Sequence, residues 1–184
     1  MLAVVVTGMP GAGKESVVER AILHGFSAYR MGDVVRRFAT DNGISPEETG
    51  IYAARERELH GKDIWARRVM EQVLSDSAER VVIDGCRSDF EVEVFRRHFG
   101  RRMSVMAVHS SPATRFERLK RRGRADAPAT REEFDERDRR ELGWGVGRVI
   151  ALADEMVVNE GTMQEFLTEV DAVIERLSAM SGKL

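Results

Sequence analysis

Apolar positions follow two alternating patterns along this chain. Leu2-Ala3-Val4-Val5-Val6 is a short, β-branched, unbroken run that stops at a glycine-rich turn, and a periodic segment from Lys14 to about His24 comes after it. That pattern predicts strand, loop, helix. The alternation returns with a short putative strand from Ser27 to Arg30, then Val81-Val82-Ile83 before Asp84-Gly85, a helix around Phe90 to Phe99, a strand from Met103 to Val108, and a helix from Pro112. Met156-Val157-Val158 and the amphipathic stretch Met163 to Leu177 close the series. Short, nearly all-apolar strands separated by helices predict a parallel sheet covered on both faces, so the fold class is α/β.

Two stretches break the alternation. Met31 to about Ser77 is helical and charged, with Ser45-Pro46-Glu47-Glu48 as a helix start. Arg115 to Glu141 is basic in its first half and passes through Ala125-Asp126-Ala127-Pro128 as a turn. No repeat or low-complexity linker marks off a second domain.

Composition then removes several function classes. The 184 residues carry 29 Lys and Arg against 31 Asp and Glu, a formal charge of −2, which gives no argument for a dedicated nucleic-acid binder. A lone cysteine, Cys86, excludes an intrachain disulfide framework and Cys-rich zinc sites, and the four histidines lie far apart. The apolar opening is too short for a signal peptide, and no run of about 18 apolar residues suits a spanning helix. The expectation is a cytoplasmic protein with no membrane partner.

The chemistry concentrates after the first strand. Gly8-Met9-Pro10-Gly11-Ala12-Gly13-Lys14 fits G-x-x-x-x-G-K between strand and helix, the context a phosphate-binding loop requires. Its glycines let successive N–H groups turn inward, the helix N-terminus adds its positive end, and Lys14 reaches the β- and γ-phosphates. Glu15 stands where Ser or Thr normally offers a hydroxyl to Mg²⁺, and Ser16 is turned roughly 100° away by the helix. A carboxylate can ligate the ion directly or through water. It can also repel the triphosphate and leave a weak enzyme.

Other candidates sit where strands end. In Met31-Gly32-Asp33-Val34-Val35-Arg36, Arg36 lies one turn beyond Asp33 and can grip an acceptor phosphate, although a surface ion pair has the same spacing. Asp84 ends its strand, placed to orient Mg²⁺ through water, with Arg87 toward the acceptor; a turn or helix cap is the plainer alternative. Arg118 and Arg122 share a helix side, with Arg124 beyond Gly123, and Arg137 and Arg140 share a later helix. Such cations can close over a triphosphate, or form a solvated, salt-bridged hairpin. Asn159-Glu160-Gly161 either lies against an adenine edge or simply ends a strand. Gly143-Trp144-Gly145-Val146-Gly147 follows no strand and is assigned no cofactor.

Together these segments resemble the nucleoside monophosphate kinases, adenylate kinases in particular. Gly8 to Lys14 matches their phosphate loop, Gly32-Asp33-Val34-Val35-Arg36 their G-D-x-x-R segment, and Asp84-Gly85 the start of D-G-F-P-R. Arg118 and Arg122 look like the pair opening their lid, and Arg137 like the arginine of the helix leaving it. Ala153 to Gly161 is instead similar to dephospho-CoA kinases, where the Asn and Gly turn lies near the nucleotide base. The whole looks like an archaeal group of adenylate-kinase-related P-loop proteins. Glu15, an Arg87 only three residues after Asp84, and a short lid depart from the pattern.

The resemblance implies a single P-loop nucleoside triphosphate hydrolase fold over 1–184, with strand order 2-3-1-4-5. It implies an acceptor-binding insert over about 31–77 and a lid over about 123–130. It further implies ATP and Mg²⁺, with AMP the simplest acceptor. Gly8, Met9, Pro10, Gly11, Ala12, Gly13, Lys14, Glu15, Ser16, Asn159 and Gly161 would bind the donor. Asp33, Arg36, Asp84 and Arg87 would bind the acceptor, and Glu15 and Asp84 the metal. Lys14, Arg118, Arg122, Arg137 and Arg140 would stabilise charge. Two rivals stand beside it: transfer to a hydroxyl, with Asp33 as base, and a nucleotide-binding regulatory module that transfers little.

Overall fold

The computed structural model describes residues 1–123 and 127–181. β1 (Leu2–Thr7) leads through a loop into α1 (Lys14–Leu23) and β2 (Ser27–Arg30). Three helices come next, α2 (Met31–Asp41), α3 (Thr49–His60) and α4 (Ile64–Ser75), before β3 (Arg80–Asp84) and α5 (Asp89–Phe99). β4 (Met103–His109), α6 (Pro112–Arg122), α7 (Arg131–Trp144), α8 (Val146–Ala151), β5 (Glu155–Val158) and α9 (Met163–Ser181) complete the chain. All strand pairs are parallel, in the order β2-β3-β1-β4-β5.

β1 lies at the centre, where every side chain from Leu2 to Thr7 is buried. Alternate residues of β1 feed opposite layers, as a period of two demands. Ala3 and Val5 join Ile83, Val105, Trp65 and Phe95 beneath α4 and α5. Val4 and Val6 join Val82, Met106, Phe166 and Ile174 beneath α1 and α9. Each large apolar side chain buried in this way contributes about 1.5–3 kcal/mol. β2 is an edge strand, and of its four side chains only Tyr29 is buried.

The charged stretch after β2 is helical, but α4 buries Ile64, Trp65, Ala66, Val69, Met70 and Val73, in the same core layer as the strands. Trp65 anchors it: its indole N–H donates to the Ala53 carbonyl at 3.2 Å, and Phe38 and Tyr52 meet its ring edge-on at 6.0 and 6.1 Å. The expected helix start at Ser45 is corrected to a turn. Glu48 N–H bonds back to Ser45 O, Ser45 Oγ donates to the Glu48 carboxylate, and α3 begins at Thr49. The fold delivers four loops and the start of α2, which follows β2 directly, to the carboxyl edge of the sheet. Gly8, Met31, Gly85, Ser110 and Asn159 are the first residues beyond their strands.

Candidate functional site

The loop after β1 is closed in by its neighbours. A Cβ on Gly8 would stand 2.4 Å from the Val108 carbonyl oxygen, and one on Gly13, at φ +111°, would stand 2.3 Å from Asn159 Nδ2. Both positions therefore require glycine. Asn159 is buried, donates Nδ2 to Ala12 O at 2.8 Å and accepts from Arg118 Nη2 at 3.0 Å. Arg118 Nη1 reaches Ser110 Oγ at 2.9 Å. Residues from the ends of β4 and β5 and from α6 thus hold the loop from behind.

Lys14 folds its ammonium over the loop, donating to Gly8 O at 2.7 Å and Met9 O at 3.2 Å. Burial pulls its pKa down, and the Asp84 carboxylate acts the other way. Asp84 has a buried Oδ1 with no hydrogen-bond partner among the described residues. Burial raises its pKa, the Lys14 ammonium opposes the rise, and Glu15 adds to it. Glu15 lies in the first turn of α1 and pairs with Arg30 at 2.6 Å. Arg30 ends β2 and is the register partner of Asp84. A bare buried carboxylate oxygen beside a second carboxylate suits a hard divalent cation, which takes oxygen ligands and keeps its waters.

A cavity of about 260 Å³ gathers these groups. Of the residues singled out in the sequence, Gly8, Pro10, Gly11, Gly13, Lys14, Glu15, Arg36, Asp84, Arg87, Arg122 and Arg137 line it. Met9, Ala12, Ser16, Asp33, Arg118, Arg140, Asn159 and Gly161 do not. Asp33 is exposed and ion-paired to Arg36. Arg118 and Asn159 point into the support behind the loop rather than at the cavity. Ser16 lies farther round α1, Arg140 is exposed, and Gly161 is in the turn that caps α9, packed on the Glu165 carboxylate. Arg124, Ala125 and Asp126 of the expected lid lie outside the described residues.

Arg87 borders a second cavity of about 250 Å³, lined also by Arg57, Phe90, Glu91 and Trp144. Its guanidinium pairs with the buried Glu141 at 2.9 Å and lies 5.1 Å from the Trp144 ring, with Arg57 5.4 Å from the same ring. Glu91 is fully buried, accepts from Arg87 N–H at 2.7 Å and Ser88 N–H at 3.2 Å, and has Arg57 at 3.5 Å. Burial pushes its pKa up.

Arg30, Glu141, Arg57, Glu91 and Trp144 carry no assignment from sequence alone. Arg30 had a strand-end position as its signal. Glu141 had its place on the stripe Phe134, Asp138, Glu141, with spacings of four and three that put all three on one face of α7. Trp144 sat in a glycine-rich run that fits no motif.

Residues 4–140 match the AAA domain family. A UPF0200 protein of Hyperthermus butylicus is 45% identical over 179 residues, covering 96% of this chain and 95% of that one. A UPF0200 protein of Methanothermobacter thermautotrophicus is 43% identical over 178 residues, covering 97% and 92%. Among solved structures, TT1252 from Thermus thermophilus superposes with a TM-score of 0.65 at 16% identity, covering 96% of this chain and 97% of that one. A gluconokinase from Sinorhizobium meliloti gives a TM-score of 0.62 at 17% identity, covering 96% and 93%. At these identities the structural likeness is one of fold.

Proposed function

The chain belongs to the AAA domain family and to the UPF0200 proteins, and from that premise we propose that it transfers the γ-phosphoryl group of ATP, with Mg²⁺, to a nucleoside monophosphate, most simply AMP. One observation carries the reading. A single cavity joins the phosphate-loop floor and the Lys14 ammonium to the Asp84 carboxylate, whose buried Oδ1 has no hydrogen-bond partner among the described residues, with Arg36, Arg87, Arg122 and Arg137 on its walls.

The loop amides and Lys14 bind the β- and γ-phosphates, with Lys14 exchanging the Gly8 and Met9 carbonyls for phosphate oxygens of full charge. Arg122 and Arg137 stabilise charge developing on the equatorial oxygens. Arg36 and Arg87 hold the acceptor phosphate, whose oxygen attacks γ-phosphorus as the bond to the β,γ-bridging oxygen breaks and ADP leaves. That oxygen is already anionic at neutral pH, so no general base is required. Asp84 and Glu15 would hold the divalent cation. When bound, it neutralises β- and γ-oxygens. The second cavity, past Arg87, offers Trp144 and Phe90 as apolar surface for the acceptor's ring.

The hydroxyl-acceptor reading needs a carboxylate near the attacking oxygen, and Asp33 is tied to Arg36 off the cavity wall. That contact favours a phosphate acceptor. The regulatory reading rests on Glu15 in place of a hydroxyl residue repelling the triphosphate, and the Arg30 guanidinium paired with it offsets that charge.

The test measures ADP release from ATP and Mg²⁺ with each nucleoside monophosphate and with dephospho-CoA. AMP is expected to stimulate most, and Lys14→Met to reduce the rate by about 10²–10³-fold or more. Release that no monophosphate stimulates, or that dephospho-CoA stimulates more, overturns the reading.

A further inference from the structure

Arg115 is the most buried arginine among the described residues, 3% exposed, and does not line either cavity. It occupies the first turns of α6 and uses all three guanidinium nitrogens. Nε donates to Ser110 O at 3.2 Å, Nη1 to Pro10 O at 3.2 Å and Asp138 Oδ1 at 2.9 Å, and Nη2 to Asp138 Oδ2 at 2.5 Å. The Phe134 ring lies 4.9 Å from it. A group so placed has a fixed geometry.

Its two main partners belong to different walls of the triphosphate cavity. Pro10 is in the phosphate loop. The peptide joining Pro10 to Gly11 is trans, so a carbonyl held outward by Arg115 sets the Gly11 N–H on the opposite side. Asp138 is on α7, next to Arg137 and three residues before Glu141, both of which line the same cavity. Glu141 in turn holds Arg87, which borders the acceptor side. One buried guanidinium therefore references the donor's loop to the helix that carries the charge-stabilising arginine and the acceptor arginine's partner.

We propose that Arg115 is a positioning residue that couples filling of the phosphate loop to the placement of Arg137, Glu141 and Arg87, so that donor and acceptor bind with positive cooperativity. This rests on the phosphotransfer reading above. Phosphate oxygens that draw the Gly11 N–H inward strengthen the Pro10 carbonyl's hold on Arg115. That fixes Asp138 and α7, and the acceptor then meets arginines already in place.

Titration calorimetry with a non-hydrolysable ATP analogue and AMP tests it. In the wild type, AMP affinity should rise by roughly 5–150-fold when the analogue is present. Asp138→Asn keeps the shape but removes the charge of the pair, and should reduce that ratio to about twofold or less while changing each ligand's separate affinity little. A purely structural role would lower stability and leave the ratio intact, and that result overturns the proposal. Should Asp138→Asn fail to fold, amide hydrogen exchange in the wild type decides. The analogue alone should protect residues 131–144, and unchanged exchange there overturns the coupling. A wild type that takes up analogue without these responses loses only this inference. One that takes up none loses the phosphotransfer reading with it.

Discussion

Asp84 is a residue whose placement costs the fold and, on the proposed function, serves the site. Burial raises its pKa above the ordinary value of 3.8, with Lys14 only partly offsetting the rise. A carboxyl raised in this way supports the folded state below its ordinary value, and that support is lost as pH climbs through the raised one. Ionised Asp84 is therefore unfavourable at neutral pH. Asp84→Asn should unfold at higher urea than the wild type at pH 7, with the gap widening from about pH 4 upward. Its transfer rate should fall by about 10²-fold or more. A gap that does not change across urea melts from about pH 4 to about pH 8 would contradict the assigned burial cost. Gly13 offers a second check at this scale. An alanine there meets Asn159 Nδ2 at 2.3 Å with φ at +111°, so Gly13→Ala should lose about 1–3 kcal/mol in urea unfolding and weaken ATP uptake.

At the scale of elements, the phosphate loop is held by the turns at the ends of β4 and β5 as much as by its own glycines. Asn159 carries that support, joining Ala12 O to Arg118 across a buried contact. Asn159→Ala removes a donor from a buried carbonyl and an acceptor from a partly buried guanidinium, and should cost about 1–3 kcal/mol. Calorimetry should show weaker ATP binding as well, because the loop loses its backing. The same contacts explain how much the sequence could reveal. Strands β1, β3 and β4 are readable because both faces are buried and the apolar run is continuous, and the loop because glycine spacing is local. Asn159 is legible as a residue of the right turn, but its direction depends on Gly13 and Arg118, residues far away in the chain. The Glu15–Arg30 and Arg87–Glu141 pairs are hidden for the same reason, since periodicity records which face a residue occupies and not what comes to meet it. α8 escapes detection because it has only six residues, less than two turns of apolar pattern.

Across the whole molecule, charge is distributed unevenly in a way the total conceals. The chain carries a formal −2, yet Lys14, Arg30, Arg36, Arg87, Arg122 and Arg137 line the main cavity against Glu15, Asp84 and Glu141. Six cations around three carboxylates in a recess attract polyanions over a distance that salt controls, because the screening length shrinks from about 10 Å at 0.1 M to about 3 Å at 1 M. ATP affinity should accordingly weaken by about tenfold or more between about 0.05 and 0.5 M KCl, whereas uncharged adenosine should change little. Fluorescence titration of both ligands across that salt range separates the alternatives. Equal weakening of ATP and adenosine would mean that the recess recognises the base and sugar alone. A steep loss for ATP only, removed in part by Arg122→Ala, would place the attraction in the cationic walls.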